Sequence, residues 1–301
     1  MNTPKTDISG NGHRGKSLIF EHPPERLVSL VPSITESLFE LGFGSSVVGI
    51  TDYCVHPAEK LQGIARIGGP KTPRIADIMA LKPELVAANM EENPIEAVEK
   101  LEEAGLKVWV TFPQTVRQSL DVLWLMVGLF QSRAAAVRLE TLEFTVEWAE
   151  SALEDLKPWR YFCPIWQDDI TLENTGWLTI NRQTYVNDVM RILGGQNVFA
   201  DRDFDNPTSH LPPSPQPIRY PHVTETDILE TSPDVIVLPS EPYAFGETDC
   251  KQLIELFPAL PAVKNEHVYC IDGSLITWHG TRLARALRDL PHLFGDVNQV
   301  P

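Results

Sequence analysis

The sequence predicts an α/β protein made of two doubly wound α/β lobes joined by a long rigid backbone helix. Three observations predict it. Strand-like and helix-like runs alternate in each half of the chain, the pattern of parallel sheets covered on both faces. A phrase is written twice: "DIMALKPELVAANME" at 77–91 returns as "DILETSPDVIVLPSE" at 227–241. Asp77, Ile78, Pro83, Glu84, Leu85, Val86 and Glu91 thereby match Asp227, Ile228, Pro233, Asp234, Val235, Ile236 and Glu241. Between the halves, from Gln114 to about Leu156, helix-period apolar residues run on with no strand among them. The 301 residues suit two lobes of about 150 residues each.

The first lobe, 26–113, opens with "RLVSLVP", a β-like run ending in proline. Ser33 then reads as a helix N-cap with Glu36 three positions on, a capping box. Ile34, Leu38 and Leu41 share one face of that helix, and Gly42 stops it. "SVVGI" reads as the next strand, "TPRIADIMALK" as a helix, "PELVAAN" as a strand, "PIEAVEKLEEAG" as a helix with a glycine stop and "LKVWVTF" as the last strand. In the doubled phrase the helix ends before its proline, because the residue preceding a proline is steered out of the α region.

The helical linker, 114–157, holds two pieces, with Ser132 as break and N-cap and Pro158 closing the segment. The second piece, at ~1.5 Å per residue, would run about 35 Å, the width of a small domain. The second lobe, 158–301, resumes the rhythm with the strand "WRYFCPIW". A helix over "TINRQTYVNDVMRILGG" follows, then a proline-rich loop at 201–221 and the repeated phrase. A helix near 248–257, the strand "HVYCID" and a helix near 281–293 complete the lobe.

Residues 1–25 read as a disordered polar tail. Within it Gly10 to Ser17, "GNGHRGKS", satisfies the phosphate-loop pattern G-x-x-x-x-G-K-[ST]. That mechanism needs a buried strand before the loop and a helix after it, and Pro23 and Pro24 leave no room for the helix. The longest apolar run of the tail is Leu18 to Phe20, far short of the ~7 to 15 residues of a secretory core. A cytoplasmic location is therefore expected from the chain as written, with a periplasmic or membrane-anchored one as the alternative if translation starts upstream. No later run approaches the ~18 apolar residues of a membrane span.

The charge balance, 25 Lys plus Arg against 41 Asp plus Glu for a net of −16, repels phosphate backbones and excludes a nucleic-acid partner. Cys54, Cys163, Cys250 and Cys270 lie singly, with no C-x-x-C pair, and read as small core residues. No G-x-S-x-G or H-E-x-x-H motif is present, and Asp168 and Asp169 read as solvated carboxylates, so no enzyme is expected. No cofactor is called for. A monomer is expected.

Ligands of open α/β sheets sit beyond the C-terminal ends of the strands, and several aromatic residues fall at such ends. They are Tyr53, Phe112, Trp166, Tyr220, Tyr243, Phe245 and Trp278. Broad apolar faces with polar tips suit a large flat ligand. Glu91 and Glu241 end the two copies of the phrase, and Lys71 joins them as a candidate contact.

The stretches "RLVSLVPSITESLFELGFGSSVVGITDYCVHP", "GGPKTPRIADIMALKPELV", "LGGQNVFAD" and "SPDVIVLPSEPY" resemble the helical-backbone, TroA-like substrate-binding proteins of ABC importers, and among them the cobalamin-binding branch. The resemblance spans roughly 26–293. It implies a periplasmic-binding-protein-like, helical-backbone metal-receptor fold, a ligand held between the lobes and no chemical transformation. It implies that Tyr53 and Tyr220 lie against a corrinoid or metal chelate. Pro70 stands where a tryptophan of that branch is expected, and Ser274 where an aspartate is. It further implies docking to an importer's membrane subunit through one glutamate per lobe. These positions fall at Ala76 and Thr226, with Asp77 and Glu225 adjacent.

Two other readings keep the fold. Relatives that bind bare Zn²⁺, Mn²⁺ or iron suggest a direct metal receptor using His56, His210, His222 and His279, although these lack helical pairing and zinc wants three or four converging ligands. A cytosolic corrinoid carrier or sensor with no transporter is the other.

Overall fold

The computed structural model describes residues 6–9, 17–168, 176–203, 218–295 and 297. Its chain falls into two compact units: Met1–Pro113 with Arg117–Phe144 and Trp278–Arg282, and Gln114–Val116 with Thr145–Thr277 and Leu283–Pro301. The short stretch Trp278–Arg282, which the sequence grouped with the C-terminal lobe, therefore belongs to the first unit.

In the first unit, strands β1 (Thr6–Ser9) and β2 (Ser17–Phe20) form an antiparallel hairpin with Thr6 opposite Phe20. This corrects the disordered-tail expectation for those residues. The anchor is Phe20, buried at 5% exposure under the Lys107 ammonium 4.1 Å from its ring, while Lys107 Nζ donates to the Ile19 carbonyl at 2.7 Å. Residues 10–16 of the phosphate-loop pattern lie outside the described residues, and the segment after them, Ser17–Phe20, is a strand where that mechanism needs a helix.

The main sheet of this unit is parallel, in the order β5-β4-β3-β6-β7. β3 (Leu27–Ser29) and α1 (Pro32–Leu41) come first, then β4 (Val47–Ile50) and β5 (Ala65–Arg66). Next stand α2 (Ile75–Ala80), β6 (Leu85–Asn89), α3 (Ile95–Glu103) and β7 (Val108–Thr111). Every residue of β6 is buried, as a central parallel strand covered on both faces requires. The Leu85 and Val86 side chains each contribute about 1.5–3 kcal/mol of apolar burial.

The start of α1 differs from the expected capping box. Pro32 occupies the first helical turn and Val31 is the N-cap, with extended backbone and no side-chain cap. Proline fits a first helical position because its missing N–H is unneeded there, so the helix begins two residues earlier than a Ser33 cap would allow. Ser33 and Glu36 turn inward instead, at 3% and 1% exposure.

α4 (Val116–Phe130) and α5 (Arg133–Ser151) follow, the latter capped as expected by Ser132 Oγ accepting from Ala135 N at 3.2 Å. With 19 residues α5 is about 28 Å long, shorter than the sequence suggested because it ends at Ser151, seven residues before Pro158.

In the second unit, "WRYFCPIW" is two strands, not one: β8 (Trp159–Phe162) and β9 (Pro164–Gln167), assigned to different sheets. Cys163 separates them, and Pro164, which lacks an N–H, begins the new strand where no donor is lost to a ladder. β10 (Gly176–Thr179), α6 (Tyr185–Ile192), β11 (Gly195–Asn197), β12 (His222–Thr224), α7 (Glu225–Thr231) and β13 (Val235–Pro239) come next. α8 (Glu247–Leu256), α9 (Pro261–Lys264), β14 (Val268–Ile271), α10 (Ser274–Thr277), α11 (Leu283–Asp289) and α12 (Pro291–Phe294) close the chain. β11-β8-β13-β14 form a parallel sheet and β12-β10-β9 an antiparallel one. Aromatic side chains run through the core here: Phe162 packs edge-on against Trp177 and Phe199, and Trp177 lies tilted against Phe257.

Both copies of the repeated phrase make the same turn. After α2 and α7 the residue before the proline is left-handed, Lys82 at φ 48 and Ser232 at φ 47. It leaves the right-handed helix as expected, but into the left-handed region and not into the extended one that a following proline favours.

Candidate functional site

Each unit presents its own strand-end surface. In the first, β6 and β7 end in register at Asn89 and Thr111, and β3 and β4 end alongside. Asn89 at the end of β6 orders the turn that follows: its side-chain oxygen accepts from Glu91 N at 2.8 Å and Glu92 N at 3.3 Å. Asn93 Oδ1 accepts from Asn89 N at 2.8 Å, and the Asn93 amide donates to the Pro70 carbonyl at 3.0 Å. Lys71 Nζ donates to the Glu91 carbonyl. The segment 69–71 is thus fastened to the turn carrying Glu91, and Lys71 and Glu91 are brought together through backbone.

Tyr53, after β4, is 65% exposed, unusual for a large aromatic, and its ring lies against Gly69. A Cβ at Gly69 would stand 3.4 Å from Tyr53 Cε2 and 3.3 Å from Thr72 Oγ1, so the ring rests in van der Waals reach of the glycine backbone. Sequence reasoning missed Gly69; its only signal was its place in "GGP". Beneath this surface Cys54 is buried between the Thr35 and Thr51 hydroxyls at 3.1 and 3.2 Å. Burial pushes its thiol up despite those hydrogen bonds.

Trp278 is half-buried in this unit, with His56 edge-on at 5.9 Å and the Arg282 guanidinium 4.6 Å over its ring. Arg282 makes a bidentate pair with Glu36, Nε to Oε2 at 2.7 Å and a terminal amine to Oε1 at 2.8 Å, almost wholly buried. His279 between them in sequence is also buried, 3.5 Å from Ser33 Oγ and 3.3 Å from the Asn89 amide. Burial lowers its imidazole to about 4, so it is neutral at physiological pH. Phe112, one residue past β7, is half-buried.

In the second unit β13 and β14 end in register at Pro239 and Ile271. The loop after β13 carries Glu241, Tyr243 and Phe245. Trp166, 47% exposed at the end of β9, meets Tyr243 edge-on at 5.6 Å, and Tyr243 N donates to the Ile165 carbonyl at 3.3 Å. Phe245 is corrected from a ligand face to a core position: at 4% exposure it packs with Phe162, Phe257 and their neighbours. Its ring supports Tyr243 from within, 4.5 Å away.

Glu241 accepts from Thr277 Oγ1 at 2.5 Å, and Gly273 N donates to Ser240 Oγ at 3.0 Å. A Cβ at Gly273 would stand 2.7 Å from Glu241 N, so only glycine lets these two loops meet. Ser274 is buried, its hydroxyl donating to Asp272 at 2.7 Å, which makes it a brace of the α10 start. Tyr220 is half-buried under the Arg219 guanidinium, 5.3 Å over its ring. Of the second unit's candidates, the contacts join Trp166 with Tyr243 and Phe245, and Glu241 with the 272–277 loop.

The histidines of the direct-metal reading serve other partners. His56 lies against Trp278, His279 is buried with Ser33 and Asn89, and His222 pairs with Asp168 at 2.6 Å. His210, like Asp169, lies outside the described residues. Among the described residues no three His, Cys, Asp or Glu side chains assemble to hold a metal ion.

Two parallel-sheet units with a long helix between them in sequence and strand-end aromatics on each define a substrate-binding protein. The chain matches the periplasmic binding protein family over residues 27–275 and belongs to it. It is 23% identical to a vitamin B12-binding protein of Vibrio vulnificus, covering 92% of each chain, and 27% identical to one of Photorhabdus laumondii, covering 77% of this chain and 80% of that one. Among solved structures it is similar to the periplasmic vitamin B12-binding protein BtuF of Vibrio cholerae, with 22% identity, a TM-score of 0.72 and coverage of 93% and 100%. It is equally similar in fold to the periplasmic heme-binding protein RhuT of Roseiflexus, with 20% identity and a TM-score of 0.72 over 91% and 99% of the two chains.

Membership in a family of binding proteins, and not of enzymes, accords with the absence of catalytic motifs. It overturns the expected cytoplasmic location, because the relatives are periplasmic binding proteins and, in Bacillus subtilis, a substrate-binding lipoprotein. The composition of residues 1–25 tests only those residues for an export signal, which is why it misled. Among the described residues no helix is long and apolar enough to cross a membrane.

Proposed function

We propose that the chain is the extracytoplasmic substrate-binding protein of an ABC importer and that it binds a cobalamin-like corrinoid. The observation that carries this reading is Tyr53, held 65% exposed at a strand end on a glycine seat, where an unliganded protein gains nothing from exposing it. The Trp166 and Tyr243 pair offers a second flat apolar surface on the other unit. Relatives named for vitamin B12 along most of their length support the corrinoid over other flat chelates. Tyr53, Trp166 and Tyr243 are the proposed ring contacts, with Trp278, Phe112, Tyr220, Lys71, Glu91 and Glu241 at the margins.

The test is titration with cyanocobalamin, hemin and a ferric siderophore, followed by tryptophan fluorescence. Saturable quenching by the corrinoid is expected, with Tyr53→Ala and Trp166→Ala each weakening it about tenfold or more, the effect of losing a stacked aromatic anchor. A response to hemin alone would move the assignment to haem, the ligand named for the structural neighbours RhuT of Roseiflexus and HutB of Vibrio cholerae.

Docking to the importer's membrane subunit is proposed to use the exposed faces of α2 and α7. Ala76 and Thr226 are exposed beside Asp77 and Glu225. The equivalent residues Met79 and Leu229 are both 47% exposed, so each copy of the phrase offers the same apolar contact next to a carboxylate. The double variant Met79→Asp, Leu229→Asp should keep ligand affinity and lose stimulation of the transporter's ATPase. Unchanged stimulation would reject this surface.

A further inference from the structure

We propose that Cys250 and Cys270 form a redox-active thiol pair that closes to a disulfide outside the cytoplasm and fastens the loop bearing Tyr243 to the sheet. Spacing along the chain holds no hint of a pair, since 19 residues separate the two cysteines and neither lies in a C-x-x-C motif. The fold brings them together. Cys270 lies on β14, the edge strand of the parallel sheet, and Cys250 lies on α8, which packs against β14. Both converge on one acceptor: Cys250 N donates to the Gly246 carbonyl at 3.0 Å and Cys270 Sγ to the same oxygen at 3.5 Å. The Cys250 thiol is close enough to Cys270 to act on it electrostatically.

Their surroundings differ from those of the other cysteines. Cys54 and Cys163 are fully buried, whereas Cys250 is partly accessible and Cys270 exposed, all four carrying free thiols. Reactivity of a thiol follows access and thiolate character. Partial desolvation of the sulfur where it faces α8, with Cys250 and the carboxylates of Asp249 and Glu247 close by, raises Cys270 to about 11 although the residue as a whole is exposed. Cys270, held protonated, is assigned the second, resolving step, and the first attack on an oxidant is assigned to Cys250. Its thiolate attacks one sulfur of a disulfide oxidant, a dithiol oxidase or oxidised glutathione, forming a mixed disulfide and expelling one thiol. Cys270 then attacks the Cys250 sulfur and expels the second thiol. One S–S bond breaks and one forms, and two electrons and two protons pass to the oxidant.

The bond would close the segment from Cys250 to Cys270, which contributes Leu253, Phe257, Leu260 and Ala262 to the second unit's core. Gly246, the shared acceptor, directly follows Phe245, so the link is made at the root of the loop that presents Tyr243.

The location rests on the proposed export, but the readout is thiol chemistry and is independent of any ligand, so the two readings fail separately. The full chain is incubated with oxidised glutathione, alkylated and digested without reductant. A peptide joining Cys250 to Cys270 is expected, together with the loss of both residues from alkylation in monomeric protein. Reduction should lower Tm by about 5 °C or more, the order expected for opening a loop of this length. Cys250→Ser should leave Cys270 open to alkylation after oxidant, and Cys270→Ser should leave Cys250 open. The proposal is overturned if both remain alkylatable in wild type, if each carries glutathione without a joining peptide, or if Cys270 crosslinks only between molecules.

Discussion

The two copies of the helix, proline and strand phrase share a backbone, yet their aspartates do different work. Asp77 forms an exposed pair with Arg74 at 2.5 Å, both side chains 52% exposed, and α2 has no side-chain cap. Asp227 closes a capping box with Thr224 and pairs with Arg202 at 2.8 Å in a half-buried setting. Burial alone would raise the Asp227 carboxyl, but the Arg202 hydrogen bond and those of Thr224 hold it below the ordinary carboxylate value. A duplicated residue thus keeps its backbone role and takes its energetic role from its neighbours. The same contrast extends to the units: the first buries a charge pair and a neutral histidine under its strand ends, whereas the second supports its strand ends on aromatic packing.

The largest expected effect falls on the first unit. Arg282→Ala leaves the Glu36 carboxylate buried without its bidentate partner and should cost about 3–5 kcal/mol in urea unfolding. Arg191→Ala on the second unit, whose pairs with Glu150 and Asp188 are solvated, should cost under about 1 kcal/mol. Equal losses would erase the contrast.

Next comes pH. His279 is neutral when folded, with its pKa depressed to about 4, but titrates near 6.5 when unfolded. Between these values the unfolded chain binds the extra proton, so stability rises with pH there. It is fully present above 6.5 and is lost as pH falls toward 4, by about 3 kcal/mol. His279→Asn should flatten that slope in denaturation curves taken at pH 7, 5.5 and 4.5.

A smaller effect separates the aspartates directly. Asp227→Ala should lose about 1–2 kcal/mol with its cap and ion pair, and Asp77→Ala under about 0.5 kcal/mol. Smallest of all are Lys82→Gly and Ser232→Gly. Each relieves a left-handed residue and should raise stability by up to about 1 kcal/mol, the two positions behaving alike because their backbones do.

Much of the fold was legible because periodicity is local. The parallel strands over 27–29, 47–50, 85–89, 108–111 and 235–239, and the pair of linker helices, follow from apolar spacing and from proline and glycine stops. The split of "WRYFCPIW" was not legible, because an unbroken apolar run does not reveal that its two halves join different sheets. In the candidate site, Tyr53 and Trp166 were found by their places after strands. Phe245 was misplaced, since in a short loop a shift of one residue decides whether a ring faces out or in. Gly69 and Gly273 act only through what lies across from them, and spacing carries no trace of that.

The sequence by itself determined the two α/β lobes, the helical linker, the duplicated phrase and the candidate aromatic surfaces, because these depend on neighbours within a few residues. Tertiary structure alone decided that Glu36 answers Arg282 and not a helix N-cap, that His279 is neutral, and that Cys250 meets Cys270. Those outcomes depend on which groups are taken from water together, and burial sets the cost of leaving a charge or thiol without a partner.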